Sequence, residues 1–336
     1  MITPQEACEF NSAQDWLPDR IHGLDDFTAP TLDPIYRTTV EAFLAYDYSA
    51  GNGWATIFWG PLLDKAYPCL EPYPISEKIV LFCMRAAKVR SMPQNKPHLL
   101  DMIEFFAGSG QMALQHLITG CHVAAFDNKY KSSLTHDCSS PIGLGLWGDA
   151  LTATHPGAVT WFGTKCSPYL NICFANHKRS ARNEYFGDQS ISWVVKSNEV
   201  QATTALLYFL STLLNNNPML EQPAESAMPK MYPMCTVLKF TGAIKTSVSL
   251  KKFGATSLKP LQIWHIDEAY TQIPSEEGQV LLPPEMMEPL ANYYVDKNGK
   301  KRYNGKKRRM EQSEFYPAAF CAKVARISDM HGRLPD

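Results

Sequence analysis

The stretch Asp101–Asp127, DMIEFFAGSGQMALQHLITGCHVAAFD, constrains the fold of this chain more than any other. Met102–Phe106 is a short, largely apolar run, which predicts a strand ending at Ala107. Gly108-Ser109-Gly110 then lets the backbone turn without Cβ clashes. Met112, Leu114 and Ile118 fall on a helix-length segment that Gly120 stops, and Val123–Phe126 predicts a second strand with Asp127 at its carboxyl end. Joined as a βαβ unit, these pieces set two glycines and a carboxylate at one crevice, where an adenosine ribose can be held.

Two cofactors compete for that crevice. Gly108, Gly110 and Ala113 satisfy the G-x-G-x-x-G/A pattern of dinucleotide binders, with Asp127 roughly twenty residues beyond the first glycine, as the ribose of NAD requires. Glu104 argues the other way, because it places a carboxylate in the strand close to where a pyrophosphate would sit. Like charges about 4 Å apart repel by roughly 4 kcal/mol at an effective dielectric of about 20. S-adenosylmethionine carries an ammonium and a sulfonium and no phosphate, so an acid there favours it.

Composition sets outer bounds. A chain of 336 residues, 45% apolar and 19% charged, buries a full core without staples, and a formal net charge of −1 exerts no overall pull toward nucleic acid. The charge is polarised: the first fifty residues hold nine acids against Arg20 and Arg37, whereas Lys297–Arg309 holds eight Lys/Arg and no acid. The nine cysteines are scattered and never spaced as CxxC, which suggests neither a disulfide framework nor a zinc ribbon, and the dispersed histidines give no metal-ligand spacing. Met1–Asn11 lacks the basic start and apolar run of a signal peptide, and Ala205–Leu214, the longest apolar stretch, is too short to span a bilayer. The expectation is an intracellular protein of the nucleus or cytoplasm that makes no use of a membrane; its oligomeric state is open.

Along the chain, Ile79–Val89 predicts a helix on the core and Pro93–Pro97 a linker into the first strand. Val159–Phe162 reads as a further strand, and Gly163-Thr164-Lys165-Cys166 leaves it as a turn at the sheet edge that faces the crevice. Leu170–Phe186, rich in Asn, His, Lys and Arg, suits an exposed loop over a site. Ile191–Leu214 has helical spacing, and Met219–Pro223 reads as a strand carrying a second acid, Glu221. Val237–Phe240 and Leu261–Trp264 are expected to pair as later strands, and Phe315–Ile327 to close the chain as a helix. Asn298-Gly299 and Asn304-Gly305 favour tight turns within the basic run, where Tyr303 is available to stack on a base.

In the same order and at similar spacing, these residues resemble the motifs of DNA cytosine-5 methyltransferases, across about Asp101–Trp264. Glu104-Phe105-Phe106-Ala107-Gly108-Ser109-Gly110 is similar to the family's first motif, an acid followed by an FAGxG turn. Asp127 sits where the family's second acid holds the cofactor ribose, and Gly148-Asp149 resembles the third motif, whose acid faces the adenine amino group. Lys165-Cys166 stands where the family has Pro-Cys, the nucleophile, and Glu221-Gln222-Pro223 resembles Glu-Asn-Val. Phe253–Lys259 resembles the segment that ends in a substrate-gripping arginine, and Leu261 stands where a second arginine is usual.

The resemblance implies a class I, S-adenosylmethionine-dependent methyltransferase of the divergent DNA cytosine-5 methyltransferase-like type, with an α/β fold and a doubly wound Rossmann-like sheet. Its implied cofactor residues are Glu104, Phe106, Ala107, Gly108, Gly110, Asp127 and Asp149. Its implied catalytic residues are Cys166, Glu221 and Lys259, with no metal. Carbon 5 of a pyrimidine is a poor nucleophile until a thiolate adds at carbon 6, which is the task of Cys166, while Glu221 hydrogen-bonds the ring nitrogen. Such a base has to leave the duplex. DNA or RNA would dock through Lys297–Arg309 and the Cys166 loop. The expected domains are an N-terminal extension or cap (1–96), a methyltransferase-like Rossmann domain (97–270), and a Pro-rich, basic C-terminal segment with a final helix (271–336). Two alternatives stay open: an inactive methyltransferase-fold module that binds nucleic acid or protein, and an NAD(P)-dependent oxidoreductase.

Overall fold

A computed structural model of the chain describes residues 34–90, 99–129, 136–170, 174–255, 260–276, 291–299, 301–305 and 315–332. Three helices come first: α1 (Pro34–Gly51), α2 (Trp54–Ala66) and α3 (Ile75–Arg90). The βαβ unit follows as β1 (Leu100–Phe105), α4 (Gln111–Ile118) and β2 (Val123–Phe126), and next come α5 (Pro141–Thr152), β3 (Thr154–Phe162), α6 (Ser192–Leu213) and β4 (Asn217–Pro223). Later elements include α7 (Met234–Phe240), β5 (Ile244–Ser249), β6 (Pro260–His265), the hairpin of β7 (Ala291–Val295) and β8 (Lys301–Gly305), and α8 (Ala318–Gly332), besides a single helical turn at Phe174–His177 and short 3-10 helices.

The fold is α/β, built on a mixed six-stranded sheet of order β2-β1-β3-β4-β6-β5, and it is compatible with a Rossmann-like architecture. β2, β1, β3 and β4 pair in parallel, whereas β6 runs antiparallel between β4 and β5. Period-two alternation assigns the layers. Ile103 and Phe105 of β1 join Phe162, Leu220 and the buried faces of α1, α2, α3, α5, α6 and α7 in one core cluster. Met102, Trp161, Met219 and Ile263 point the other way, into a cluster with α4 and α8. The helices on residues 34–90 thus contribute to the same core as the sheet.

β2 lies on one side of β1 and β3 on the other, so the chain order reverses between β1 and β3. In open α/β sheets the crevice at the carboxyl ends of the strands flanking such a reversal is where ligands bind. The turn after β1, Asp127 after β2, the Gly163–Cys166 segment after β3 and Glu221 near the end of β4 all fall at that edge.

Three expectations need correction. Val237–Phe240 is not a strand: Met234, Val237 and Leu238 recur at i, i+3 and i+4 and are buried on one face of α7, while β5 takes the place beside β6. A short apolar run carries too few residues for its period to separate helix from strand. Leu170–Phe186 is not simply exposed, since His177 and Arg179 within it are buried. Asn298-Gly299 does turn the β7–β8 hairpin, with the Gly299 N–H donating to the Asp296 carbonyl at 2.9 Å, but Asn304-Gly305 lies inside β8, where Asn304 pairs with Asn292. Among the described residues no helix is long and apolar enough to cross a membrane.

Candidate active site

The turn after β1 is left-handed three times, at Phe106 (φ 60°), Gly108 (φ 59°) and Gly110 (φ 68°). Glycine tolerates this, but a phenylalanine held there stores roughly 1 kcal/mol or more of strain, which the surrounding bonds must sustain. They include Ala107 N–H to the Phe126 carbonyl and Gly110 N–H to the Ala107 carbonyl, both 2.9 Å. Asp127 completes the turn: Oδ2 accepts the Gly108 N–H and Oδ1 the Lys129 N–H, each at 2.8 Å. A Cβ added at Gly108 would meet no atom within 4 Å, so the glycine leaves an open cradle against its backbone.

Glu104 lies beneath this turn and does not line the open space. It is fully buried, and its Oε2 accepts the Ala113 N–H at 2.7 Å in the first turn of α4. Burial pushes its carboxyl up to about 8 against the Ala113 and Met112 N–H groups that pull it down. At neutral pH it is therefore mostly neutral, and the repulsion expected against a pyrophosphate has little charge behind it. A different obstacle replaces it: a helix N-terminal N–H that a phosphate would use is already engaged.

One cavity of about 380 Å³ runs from the glycine turn to the cysteine loop. Phe106, Gly108 and Asp127 line it together with Cys166 and Glu221. The structure thus unites five of the residues singled out from sequence. Ala107 and Gly110 shape the turn without lining the cavity, and Lys259 lies outside the described residues. Asp149, expected at the adenine, is placed elsewhere: it sits on α5, where Arg85 bonds its Oδ1 at 2.8 Å and the Tyr67 hydroxyl donates to it at 3.2 Å. Its neighbour Trp147 lines the cavity instead, because two residues on a helix are about 200° apart. Gly148 is required by packing, since a Cβ there would collide with the Tyr67 hydroxyl.

Around the glycine turn the walls are aromatic. Trp147 meets Phe106 edge-on at 5.0 Å between ring centroids, and His136 tilts over Phe126 at 5.6 Å. Burial lowers the proton affinity of His136, with the nearby Asp127 carboxylate acting against that.

Gln222 holds the loop that carries the cysteine. Its Nε2 donates to the Thr164 carbonyl at 2.7 Å, and its Oε1 accepts the Ser226 hydroxyl at 2.8 Å. Cys166 is half-buried and lines the cavity, whereas Cys138, also on the wall, is buried and its thiol is pushed up by that burial. Cys173 lies outside the described residues. Glu221 is buried, and the Tyr316 hydroxyl donates to its Oε2 at 2.7 Å. Burial and then the charge of Glu221 raise the Tyr316 phenol well above the usual tyrosine range, so it stays a neutral donor. Gly163 makes room, since a Cβ there would approach the Tyr316 hydroxyl at 2.9 Å and the Phe106 carbonyl at 3.3 Å.

Sequence reasoning missed Tyr316, Trp147, His136, Trp193 and Lys196, all of which line the cavity. Tyr316 is 95 residues from its partner Glu221, and no local spacing announces such a pair. Among the described residues no group of three or more His, Cys, Asp or Glu side chains has the makings of a metal site. No model of a known protein family matches the chain, and no curated protein matches it.

Proposed function

We propose that this chain is an S-adenosylmethionine-dependent methyltransferase whose acceptor is a pyrimidine base of a nucleic acid. The observation that carries this reading is that Gly108, Asp127, Cys166 and Glu221 line one and the same cavity. The residues present fit the cofactor. Asp127 keeps acceptor capacity for ribose hydroxyls beyond the two backbone N–H groups it binds. Trp147 and Phe106 offer apolar ring surface for a purine, and Gly108 leaves the backbone approachable. When bound, S-adenosylmethionine supplies an electrophilic methyl group.

The chain's own residues would do the rest. Cys166 adds as thiolate to carbon 6 of the ring, which raises electron density at carbon 5; once carbon 5 carries the methyl group, loss of its proton to water expels the thiolate, restores the ring and frees Cys166. Glu221, in its protonated form, donates its proton to the ring nitrogen and so offsets the negative charge that addition creates, and the Tyr316 hydroxyl fixes the orientation of that carboxyl. Gln222 and the Thr164 carbonyl hold the cysteine loop in place. The oxidoreductase alternative is disfavoured by topology. A dinucleotide is bound across two βαβαβ halves of a mostly parallel sheet, whereas here the sheet turns antiparallel after β4.

The reading is tested by calorimetric titration with S-adenosylhomocysteine and, separately, NADH, each repeated on Asp127→Ala. Micromolar binding of S-adenosylhomocysteine alone, weakened at least tenfold by the substitution, is expected; binding of NADH alone would hand the site to redox chemistry. Cys166→Ala then abolishes methyl transfer to DNA or RNA while leaving cofactor affinity intact. Full activity in that variant would discard the cysteine mechanism even if methylation were real, and an inactive wild type that still binds the cofactor would leave a binding module.

A further inference from the structure

The buried residues of the cavity form its floor; the exposed ones, among them Lys165, Trp193 and Lys196, form a rim on the side of α6. We propose that this rim is a platform for one nucleotide of a single strand next to the reacting base, with Trp193 taking the face of its base and Lys165 and Lys196 the adjoining phosphates. The inference rests on the nucleic-acid reading above and goes beyond it by assigning Trp193 and Lys196, which lie outside every motif, and a phosphate-binding role to Lys165 beside the cysteine.

Trp193 is 43% exposed, and its ring packs against a neighbour. It stands edge-on to His177, with centroids 3.8 Å apart and planes at 84°. His177 is itself buried and bonds the Pro168 carbonyl through Nδ1 at 3.3 Å, two residues from Cys166. An exposed ring anchored on the wall of the cysteine loop is preorganised for stacking, since little side-chain freedom is left to lose.

Beneath the rim lies a buried cation. Arg179 is 3% exposed and has no carboxylate partner among the described residues. Its guanidinium donates to Ser197 Oγ at 2.6 Å, to Asn198 Oδ1 at 2.9 Å and to the Tyr185 carbonyl at 2.5 Å, lies over the Tyr169 ring at 5.3 Å, and leaves Nε without a partner, so its partners are all neutral. Ser197 and Tyr169 both line the cavity. A buried charge without a counter-ion is unfavourable, and an anion at the adjacent rim would relieve it. Asp188 is engaged by Lys178 at 2.5 Å and Asp127 by backbone N–H groups; Lys196, 59% exposed, pairs with Asp137 at 3.3 Å and exchanges that contact for the phosphate, while Asp137 keeps its bonds from Ser139. An anion beside a flat ring, at the mouth of a pocket that would accept a base, is the chemistry of a neighbouring nucleotide.

The test is fluorescence anisotropy of a short labelled pyrimidine-rich single strand, as DNA and as RNA, with S-adenosylhomocysteine present, over a range of salt. Trp193→Ala is expected to weaken binding about tenfold, and Trp193→Phe to restore most of it. Lys165→Glu with Lys196→Glu is expected to flatten the dependence of log K on log salt by about 1.4, two phosphates' worth. Calorimetry with S-adenosylhomocysteine checks that each variant keeps its fold. If the strand binds the wild type and all the variants alike, the platform is wrong and the methyltransferase reading stands. If a lone pyrimidine monophosphate competes as well as the strand, the rim serves a free nucleotide and the proposal falls. If the wild type binds no strand even at low salt, the acceptor class of the reading fails and the platform with it.

Discussion

At the scale of the residue, Glu104 contributes through the state in which it is buried. Its carboxyl is raised to about 8 in the fold from an ordinary value near 4.5, so the folded chain holds a proton that the unfolded chain releases. The stability this contributes is fully present below about 4.5 and is lost as pH rises through about 8, with a slope on the order of 1 kcal/mol per pH unit. Glu104→Gln keeps the shape and the acceptor for the Ala113 N–H but cannot ionise. Relative to the wild type, its urea midpoint is therefore expected to rise from pH 5 to about pH 8 and to level off above that. A constant difference across that range would mean that Glu104 does not titrate in the fold.

At the scale of the element, the contact of α4 with α8 is joined by a buried histidine. His116 bonds the Met112 carbonyl through Nδ1 at 2.9 Å and the Ser328 hydroxyl through Nε2 at 3.2 Å. Burial lowers its proton affinity to about 4. Because the folded value lies below the unfolded one near 6.5, its contribution is present above about 6.5 and lost as pH falls through about 4. Acidification is thus expected to reduce hydrogen-exchange protection in α8 well before global unfolding, and His116→Gln to remove that pH dependence. Protection that falls equally in both proteins would place the acid-sensitive group elsewhere. Between about 4.5 and 6.5 the histidine and Glu104 act in opposite directions, so the two variants need to be measured separately.

At the scale of the whole molecule, the helices before the sheet belong to its core. Phe43 of α1 stacks on Trp59 of α2 at 5.3 Å, meets Phe209 of α6 at 4.1 Å and stands edge-on to Phe240 of α7 at 5.1 Å. Phe43→Ala is expected to cost about 3–5 kcal/mol and to shift one transition rather than split it, with far-ultraviolet circular dichroism and tryptophan fluorescence remaining coincident in denaturant. Two separated transitions would mean that α1–α3 fold apart from the sheet.

What the sequence determined by itself is the local part of this protein. The strand, left-handed glycine turn, helix and acid of Asp101–Asp127 are legible because each depends on residues within a few positions of one another. The same holds for the strand at Val159–Phe162 and the long helix ending at Leu213. Only the tertiary structure decided which acids reach the cavity. Asp127 and Glu221 line it, Glu104 is buried under the turn, and Asp149 turns away to Arg85, although all four are carboxylates near strand ends or turns in the sequence. The direction of a side chain follows from helix phase and sheet order, which are set by long-range packing. The same packing brings Tyr316 to Glu221 and leaves Trp193 exposed over the cysteine loop. A pattern read along the chain carries no information about partners so far apart.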